Sequence, residues 1–254
     1  MILAITREVS RSIVNCELTH LARTPIDVER ARGQHAQYRS ALAGLGLAIL
    51  SLPEEPELAD SVFVEDTALV LDECAIITRP GADSRKAETE SIARVLEPYR
   101  KLFRILPPAR VDGGDILCIG NDIYIGLSTR SDTNAIEQIQ DFVQPFGYSV
   151  HAVQVTGCLH LKSAVTQVAA EAVLINPAWV NKDHFRLMKC LEVDPSEPYA
   201  ANAVLVGQTI IYPTAFPKTQ TRLNAASIAM VNVDADELAK AEGAVTCCSL
   251  ILKI

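Results

Sequence analysis

The chain has 254 residues, 49% hydrophobic and 21% charged, with a formal net charge of −8 at pH 7. Such a chain can bury a large core, and its composition excludes a disordered or low-complexity protein. The acidic balance, with no Lys/Arg cluster, argues against binding nucleic acid through its phosphates and is compatible with a small cationic ligand.

The opening "MILAITREVS" carries no basic leader, and no apolar stretch reaches the ~18 residues of a spanning helix. A soluble, cytoplasmic protein without membrane contact is therefore expected. Seven cysteines, at 16, 74, 118, 158, 190, 247 and 248, are odd in number and scattered, with no CxxC pair. They read as free thiols, with no disulfide and no zinc site, so a special cysteine must be special through its pKa.

In chain order the first elements are a strand "ILAIT", a helix from about Asp27 to Ala43, and a strand "LAILSLP". The helix places Val28, Ala31, His35, Tyr38, Leu42 and Leu45 at alternating spacings of three and four, which gives one apolar face. A repeat then begins. "SVFVEDTALVLDECAIITRPG" (61–81) reads as strand, turn at Asp72-Glu73, strand, then helix. "VDGGDILCIGNDIYIGLSTR" (111–130) has the same grammar with its turn at Gly120 to Asp122. "HLKSAVTQVAAEAVLINPAWV" (160–180) turns near Ala169 to Glu171, and "ANAVLVGQTIIYPTAF" (201–216) turns at Gly207-Gln208. Short third strands such as "LFRIL", "SVHAVQV" and "AMVNVDA" follow the helices.

A polar residue stands near the start of each first strand: Glu65, Asp112, His160, Asn202 and, in a fifth copy, Cys247. Their separations are 47, 48, 42 and 45 residues, a steady period. The fifth copy has only its first strand at the C-terminal end, and the N-terminal strand, helix and strand supply the rest. A strand from one end pairing with a strand from the other closes a ring and leaves no open edge. The expected fold is α/β, a five-bladed propeller of strand-strand-helix-strand modules about a pseudo-five-fold axis, forming one catalytic domain over 1–254. First strands crowding the axis would bring the five polar residues into one pocket. Buried ionisable groups without partners are costly, so such a set points to chemistry.

Taken alone, Cys247 in "GAVTCCSLILKI" fits a core strand, since free cysteine is among the most buried residue types. Its coincidence with His160 and Asp112 in the repeat reverses that reading, because a thiol needs a base or cation nearby to act as a nucleophile. Strand alternation would turn Cys248 to the opposite face. His160 alone, between two leucines, fits a satisfied core histidine. In "DGGD" the bland reading is a surface turn; the alternative is that the glycines allow close backbone approach while Asp112 or Asp115 points inward. In "FVEDT", Glu65 and Asp66 interrupt a strand, so one of them must face inward and needs Arg79, Arg85 or a cationic substrate as partner.

Together "DSVFVEDTAL", "AIITRPGADSR", "DGGDILCIG", "YIGLSTR", "LHLKS", "YAANAV" and "GAVTCCS" resemble the dimethylarginine dimethylaminohydrolases, of the guanidine-modifying (pentein) superfamily. The motifs run in order over nearly the whole chain. The resemblance implies a five-bladed α/β propeller and hydrolysis of Nω-methylated arginines to citrulline and a methylamine, with no cofactor and no metal. It implies Cys247 as nucleophile, His160 as general acid/base and Asp112 as its acidic support. It further implies substrate contacts from Asp60, Glu65, Asp66, Arg85 and Arg130, from Leu18 in a mobile lid, and from the backbone carbonyl of Ala241. A monomer or homodimer is expected. Where the family often has Arg-Thr-Asn, this chain has Arg130-Ser131-Asp132, which keeps a helix-capping residue type. An arginine deiminase, an amidinotransferase and a non-catalytic ligand- or metal-binding propeller remain the alternative readings of the residues.

Overall fold

A computed structural model describes all residues 1–254. Strand β1 (Ile2–Arg7), helix α1 (Val28–Gly44) and β2 (Ala48–Leu52) come first. Asp27 caps α1 by accepting from Arg30 N, and Ala31, His35, Tyr38 and Leu42 form the buried face. The next module is β3 (Ala68–Val70), β4 (Cys74–Ile77), α2 (Glu88–Leu96) and β5 (Lys101–Arg104). It is followed by β6 (Ile116–Ile119), β7 (Asp122–Leu127), α3 (Thr133–Val143) and β8 (Ser149–Gln154). After a single turn of helix, α4 (Leu161–Ala164), come β9 (Val165–Ala169), β10 (Ala172–Ile175) and β11 (Lys189–Glu192). The last parts are β12 (Val204–Val206), β13 (Thr209–Pro213), α5 (Pro217–Ala225), β14 (Ala229–Val233), a short α6 (Asp236–Ala239) and β15 (Leu250–Lys253).

These fifteen strands make five three-stranded sheets of identical design. In each, the second strand lies between an antiparallel first strand and a parallel third strand. The fifth sheet is β15-β1-β2, with Ile5 opposite Leu250 and Ile2 opposite Lys253. The ring therefore closes as the period demanded, and the expected α/β propeller of five modules is the observed fold. Four of the hairpin turns fall at the positions read from the sequence.

The helix expected after the second strand is present in four modules. After β10 it shrinks to a 3-10 turn, Lys182–Phe185. Pro177 follows two residues after β10, and Asn181 caps so short a segment that only one turn fits before β11.

A second correction concerns the five polar anchors. They sit on turns that precede the first strands rather than in the strands themselves: Glu65 in the 3-10 turn Val64–Thr67, Cys247 in the 3-10 turn Thr246–Cys248, Asp112 and His160 in extended caps of the following turns. A paired strand must send alternate side chains to opposite faces. A turn ahead of the strand escapes that rule, yet the five do not share one pocket: His160 and Cys247 meet at one end of the axis with Asp112 behind His160, Asn202 braces the turn that carries Cys247, and Glu65 faces the axial interior. Below them the first strands enclose an axial cavity of about 290 Å³. No helix is long and apolar enough to cross a membrane.

Candidate active site

One cleft at the end of the axis is lined by Asp60, Asp66, Arg85, Arg130, His160, Ala241 and Cys247, drawn from four modules. Seven of the ten residues singled out in the sequence thus meet in one place. Asp112 lies immediately behind His160, with its Oδ2 3.0 Å from Nε2. Leu18 packs against the apolar cluster that includes Cys247. Glu65 turns away from the cleft: its carboxylate lines the axial cavity, where Lys162 Nζ donates to Oε1 at 2.6 Å.

The "VEDT" turn explains the division. Glu65 and Asp66 are both buried, contrary to the strand reading in which only one could be. Consecutive residues of a 3-10 turn point about 120° apart, so Asp66 enters the cleft while Glu65 faces the axis. Asp66 accepts from Arg85 Nη1 at 2.6 Å and from Gly114 N at 2.8 Å, and its Oδ1 stands 3.9 Å from His160 Nδ1. Arg79, the other partner considered, donates to the Ala109 carbonyl instead. Burial opposes ionisation of Asp66, but the charges of Arg85 and then His160 hold its carboxyl at about 2.

The glycines of "DGGD" serve close approach between modules. A Cβ on Gly113 would lie 2.0 Å from the Glu65 carbonyl oxygen, and one on Gly114 would lie 2.5 Å from His160 Nδ1. Both aspartates point inward. Asp112 accepts from Gly81 N at 2.7 Å as well as meeting His160. Asp115 accepts from Ser128 Oγ and Ser131 Oγ at 2.6 Å and from Leu161 N at 2.9 Å, which fixes the turn that carries His160. Asp132 caps α3 through Ala135 N, the role its residue type allows.

His160 is held between three carboxylates. Burial alone would lower its pKa, but the charge of Asp66, the hydrogen bond to Asp112 and the charge of Asp115 push it up to about 9. The imidazole is a cation at neutral pH. Burial pushes the Cys247 thiol up to about 12, and the negative charges of Glu65 and Asp66 add to this. Both shifts favour a protonated thiol and a protonated imidazole in the cleft.

Cys247 and Cys248 are adjacent in one 3-10 turn, so strand alternation is not what separates them. Cys247 opens on the cleft with His160, while the Cys248 thiol donates to Ala244 O at 3.5 Å within the core. Asn202, the fourth anchor, holds this turn through Thr246: Oδ1 accepts from Thr246 N at 3.1 Å and Nδ2 donates to its Oγ1 at 2.9 Å.

Arg85 is saturated by protein acceptors, donating to Asp66, both oxygens of Glu88 and the carbonyls of Phe63 and Asp60. Arg130 is less committed, with Nη2 donating to Thr19 Oγ1 at 2.9 Å and Nη1 3.6 Å from Asp112. Asp60 accepts from the Glu17 backbone N at 3.0 Å. The segment carrying Leu18 is thus tied across the mouth, and the cleft holds only about 10 Å³, room for one water. Charged residues escaped the sequence reading too: Glu17 and Glu242 at the cleft, and Lys162 beside Glu65 in the axial cavity. Lys162 stands two residues after the anchor His160, the one sequence signal that could have found it.

The family model for N,N dimethylarginine dimethylhydrolase, eukaryotic, matches residues 19–197. The dimethylarginine dimethylaminohydrolase of Pseudomonas aeruginosa is 34% identical over 249 residues, covering 97% of this chain and 97% of its own length. The chain belongs to the dimethylarginine dimethylaminohydrolase family. The dimethylarginine dimethylaminohydrolase of Streptomyces coelicolor is 35% identical over 254 residues, covering 98% of this chain and 96% of its own. Among solved structures, a cysteine-to-serine mutant of the Pseudomonas aeruginosa enzyme complexed with citrulline superposes with a TM-score of 0.94 at 34% identity, covering 98% of both chains. The N-terminal domain of ArgZ, bound covalently to a reaction intermediate, superposes with a TM-score of 0.90 at 18% identity, covering 100% of this chain and 98% of that one, and shares the fold. Dimethylarginine dimethylaminohydrolases are hydrolases of carbon–nitrogen bonds in amidines, and this chain is a hydrolase of that class.

Proposed function

We propose that the chain hydrolyses Nω-methylated arginines, asymmetric dimethylarginine and monomethylarginine, to citrulline and a methylamine through a covalent Cys247 thiouronium. The observation that carries this reading is the convergence of Cys247, His160 and Asp66 on one cleft, with the charges that a guanidinium would require. A planar cation entering there meets Asp66, whose carboxylate accepts the guanidinium N–H groups. Its charge offsets those of Glu65 and Asp66 on the thiol, so binding itself favours the thiolate. The thiol gives its proton to solvent, and the Cys247 thiolate then attacks the central carbon to form a tetrahedral adduct. The C–N bond to the methylated nitrogen breaks as the His160 imidazolium gives that nitrogen its proton, and the methylamine leaves. A water that returns a proton to His160 attacks the thiouronium carbon, and C–S cleavage yields citrulline and restores the thiol.

Asp112 holds the imidazole in place, while the Ala241 carbonyl and Asp60 receive the α-amino group and Arg130 the α-carboxylate. Leu18 covers the aliphatic chain. Arg85 supports Asp66 and can meet the carboxylate only by giving up a protein acceptor. Glu65 acts on the thiol through its charge from the far side of the turn.

The test is citrulline release from asymmetric dimethylarginine, monomethylarginine, arginine and agmatine in parallel. Turnover of the two methylated substrates in preference to the others is expected. Cys247→Ser abolishes it, His160→Ala lowers it by roughly 10² to 10⁴-fold, and Cys248→Ser keeps most of it. Near-normal activity in Cys247→Ser sinks the assignment.

A further inference from the structure

The segment across the mouth is held by few contacts. Residues 19 to 25 are exposed, and only Leu18 adds apolar packing to a core cluster. Glu17 N and the Thr19 hydroxyl take Asp60 and Arg130, groups that a bound amino acid would claim for itself. Other anchors use no such group: Ser84 Oγ donates to Glu17 Oε1 at 2.5 Å, Arg23 to the Val14 and Cys16 carbonyls at 2.7 Å, and the most extensive comes from Glu242. The Glu242 carboxylate accepts from three successive backbone N–H groups, Thr19 at 3.0 Å, His20 at 2.5 Å and Leu21 at 2.6 Å. Three converging N–H groups form an anion-binding concavity, and a full negative charge seated in it makes each bond charge-assisted.

The backbone at Glu242 singles it out independently. After α6, Gly243 N donates to Leu238 O at 3.1 Å and Glu242 N to Ala239 O at 3.1 Å. This places Glu242 at the left-handed position of a helix C-cap, with φ +56°, where glycine is preferred. A glutamate endures that strain where its side chain is held by something else. The neighbouring Gly243 packs so closely on Phe63 that a Cβ would lie 2.2 Å from the ring, so the 241–243 backbone cannot shift freely.

We propose that Glu242 is the latch of the lid: its carboxylate closes segment 17–24 over the cleft and holds the adjacent Ala241 carbonyl in the pose that receives the substrate's α-amino group. Glu242 is a positioning residue, and its second consequence rests on the methylarginine reading above. Opening the latch frees Asp60 and Arg130 together, because the same segment occupies both. Of the anchors that the substrate does not displace, only the Glu242 carboxylate gathers three backbone N–H groups of the segment, so closure behind the substrate depends chiefly on it.

The experiment uses the full chain with Glu242→Gly and Glu242→Gln. Glycine relieves the left-handed strain and removes the acceptor; glutamine keeps one acceptor oxygen. Tryptic cleavage after Arg23, within the lid, is expected to accelerate by about tenfold or more in Glu242→Gly and by less in Glu242→Gln, while the thermal midpoint of Glu242→Gly stays equal or rises. With asymmetric dimethylarginine, KM rises by about tenfold and kcat stays within about threefold. Equal cleavage rates in wild type and Glu242→Gly overturn the latch, as does a fall in kcat at unchanged KM. If the wild type turns over no guanidino substrate, the methylarginine reading fails, and the proteolysis alone still decides the latch.

Discussion

At the scale of single residues, charge is arranged around burial. Cys247 lies high, at about 12, and His160 high, at about 9, which favours a protonated imidazole and a protonated thiol near pH 7. Alkylation by iodoacetamide is expected to rise about tenfold per pH unit from 7 to 9 in the free enzyme, following the thiolate fraction. A plateau reached below pH 8 would mean a preformed thiolate. His35 carries the opposite perturbation. It is fully buried on α1, neither ring nitrogen has a partner, and burial followed by the charge of Arg39 lowers its pKa to about 4. Its folded pKa lies below the unfolded value near 6.5, so the unfolded chain takes a proton that the fold refuses. The stability it contributes is complete above about pH 6.5 and is lost as pH falls toward 4. Replacing it by His35→Leu should therefore remove about 2 kcal/mol of the stability difference between pH 7 and pH 5, read from urea unfolding of both proteins. Equal pH slopes would show that His35 is not the group responsible.

At the scale of elements, the turns that precede the first strands do the placing. Gly113 and Gly114 separate two demands that the motif "DGGD" merges. A methyl group on Gly114 strikes the His160 ring and Asp66 Oδ1, both side-chain atoms, whereas one on Gly113 strikes the Glu65 backbone. Gly114→Ala is expected to fold and to lose about 10²-fold in kcat by displacing the imidazole, while Gly113→Ala lowers the thermal midpoint. Unchanged kcat in Gly114→Ala would refute this account. The modules themselves were legible, because hairpin turns and apolar strands are local signals with a fixed period. The helix lost after β10 was not, since a helix-like stretch and a single capped turn differ only in the space left before β11. Nor were the pairs Lys162–Glu65 and His20–Glu242, whose members lie 97 and 222 residues apart. Only the closed ring makes them neighbours. The "VEDT" and "TCC" segments resemble strands in sequence for a related reason: apolar flanks match a strand, and the axial crowding that bends them into 3-10 turns comes from other modules.

At the scale of the whole molecule, the pairings around His160 and Cys247 join one module to another. Asp66 reaches Gly114 and His160, Asp112 reaches His160, and Asn202 reaches Thr246 beside Cys247. The cleft exists only when the five sheets are in place, so binding of a ligand there stabilises the ring as a unit. The seam of that ring is held like the interior of any sheet. Beyond the last paired strand residues, Met1 N donates to the Ile254 carbonyl at 2.9 Å and Ile254 N to the Met1 carbonyl at 2.8 Å. Residues 1 and 254 therefore face each other across one rung of the β1–β15 ladder. A permuted chain, joined between residues 254 and 1 and opened at the exposed turn by Asn121, is expected to fold and to keep its kcat; an unfolded product would contradict it. The five sheets and the cleft they frame would then survive a break at any exposed hairpin turn, since no one sheet holds the others open or shut.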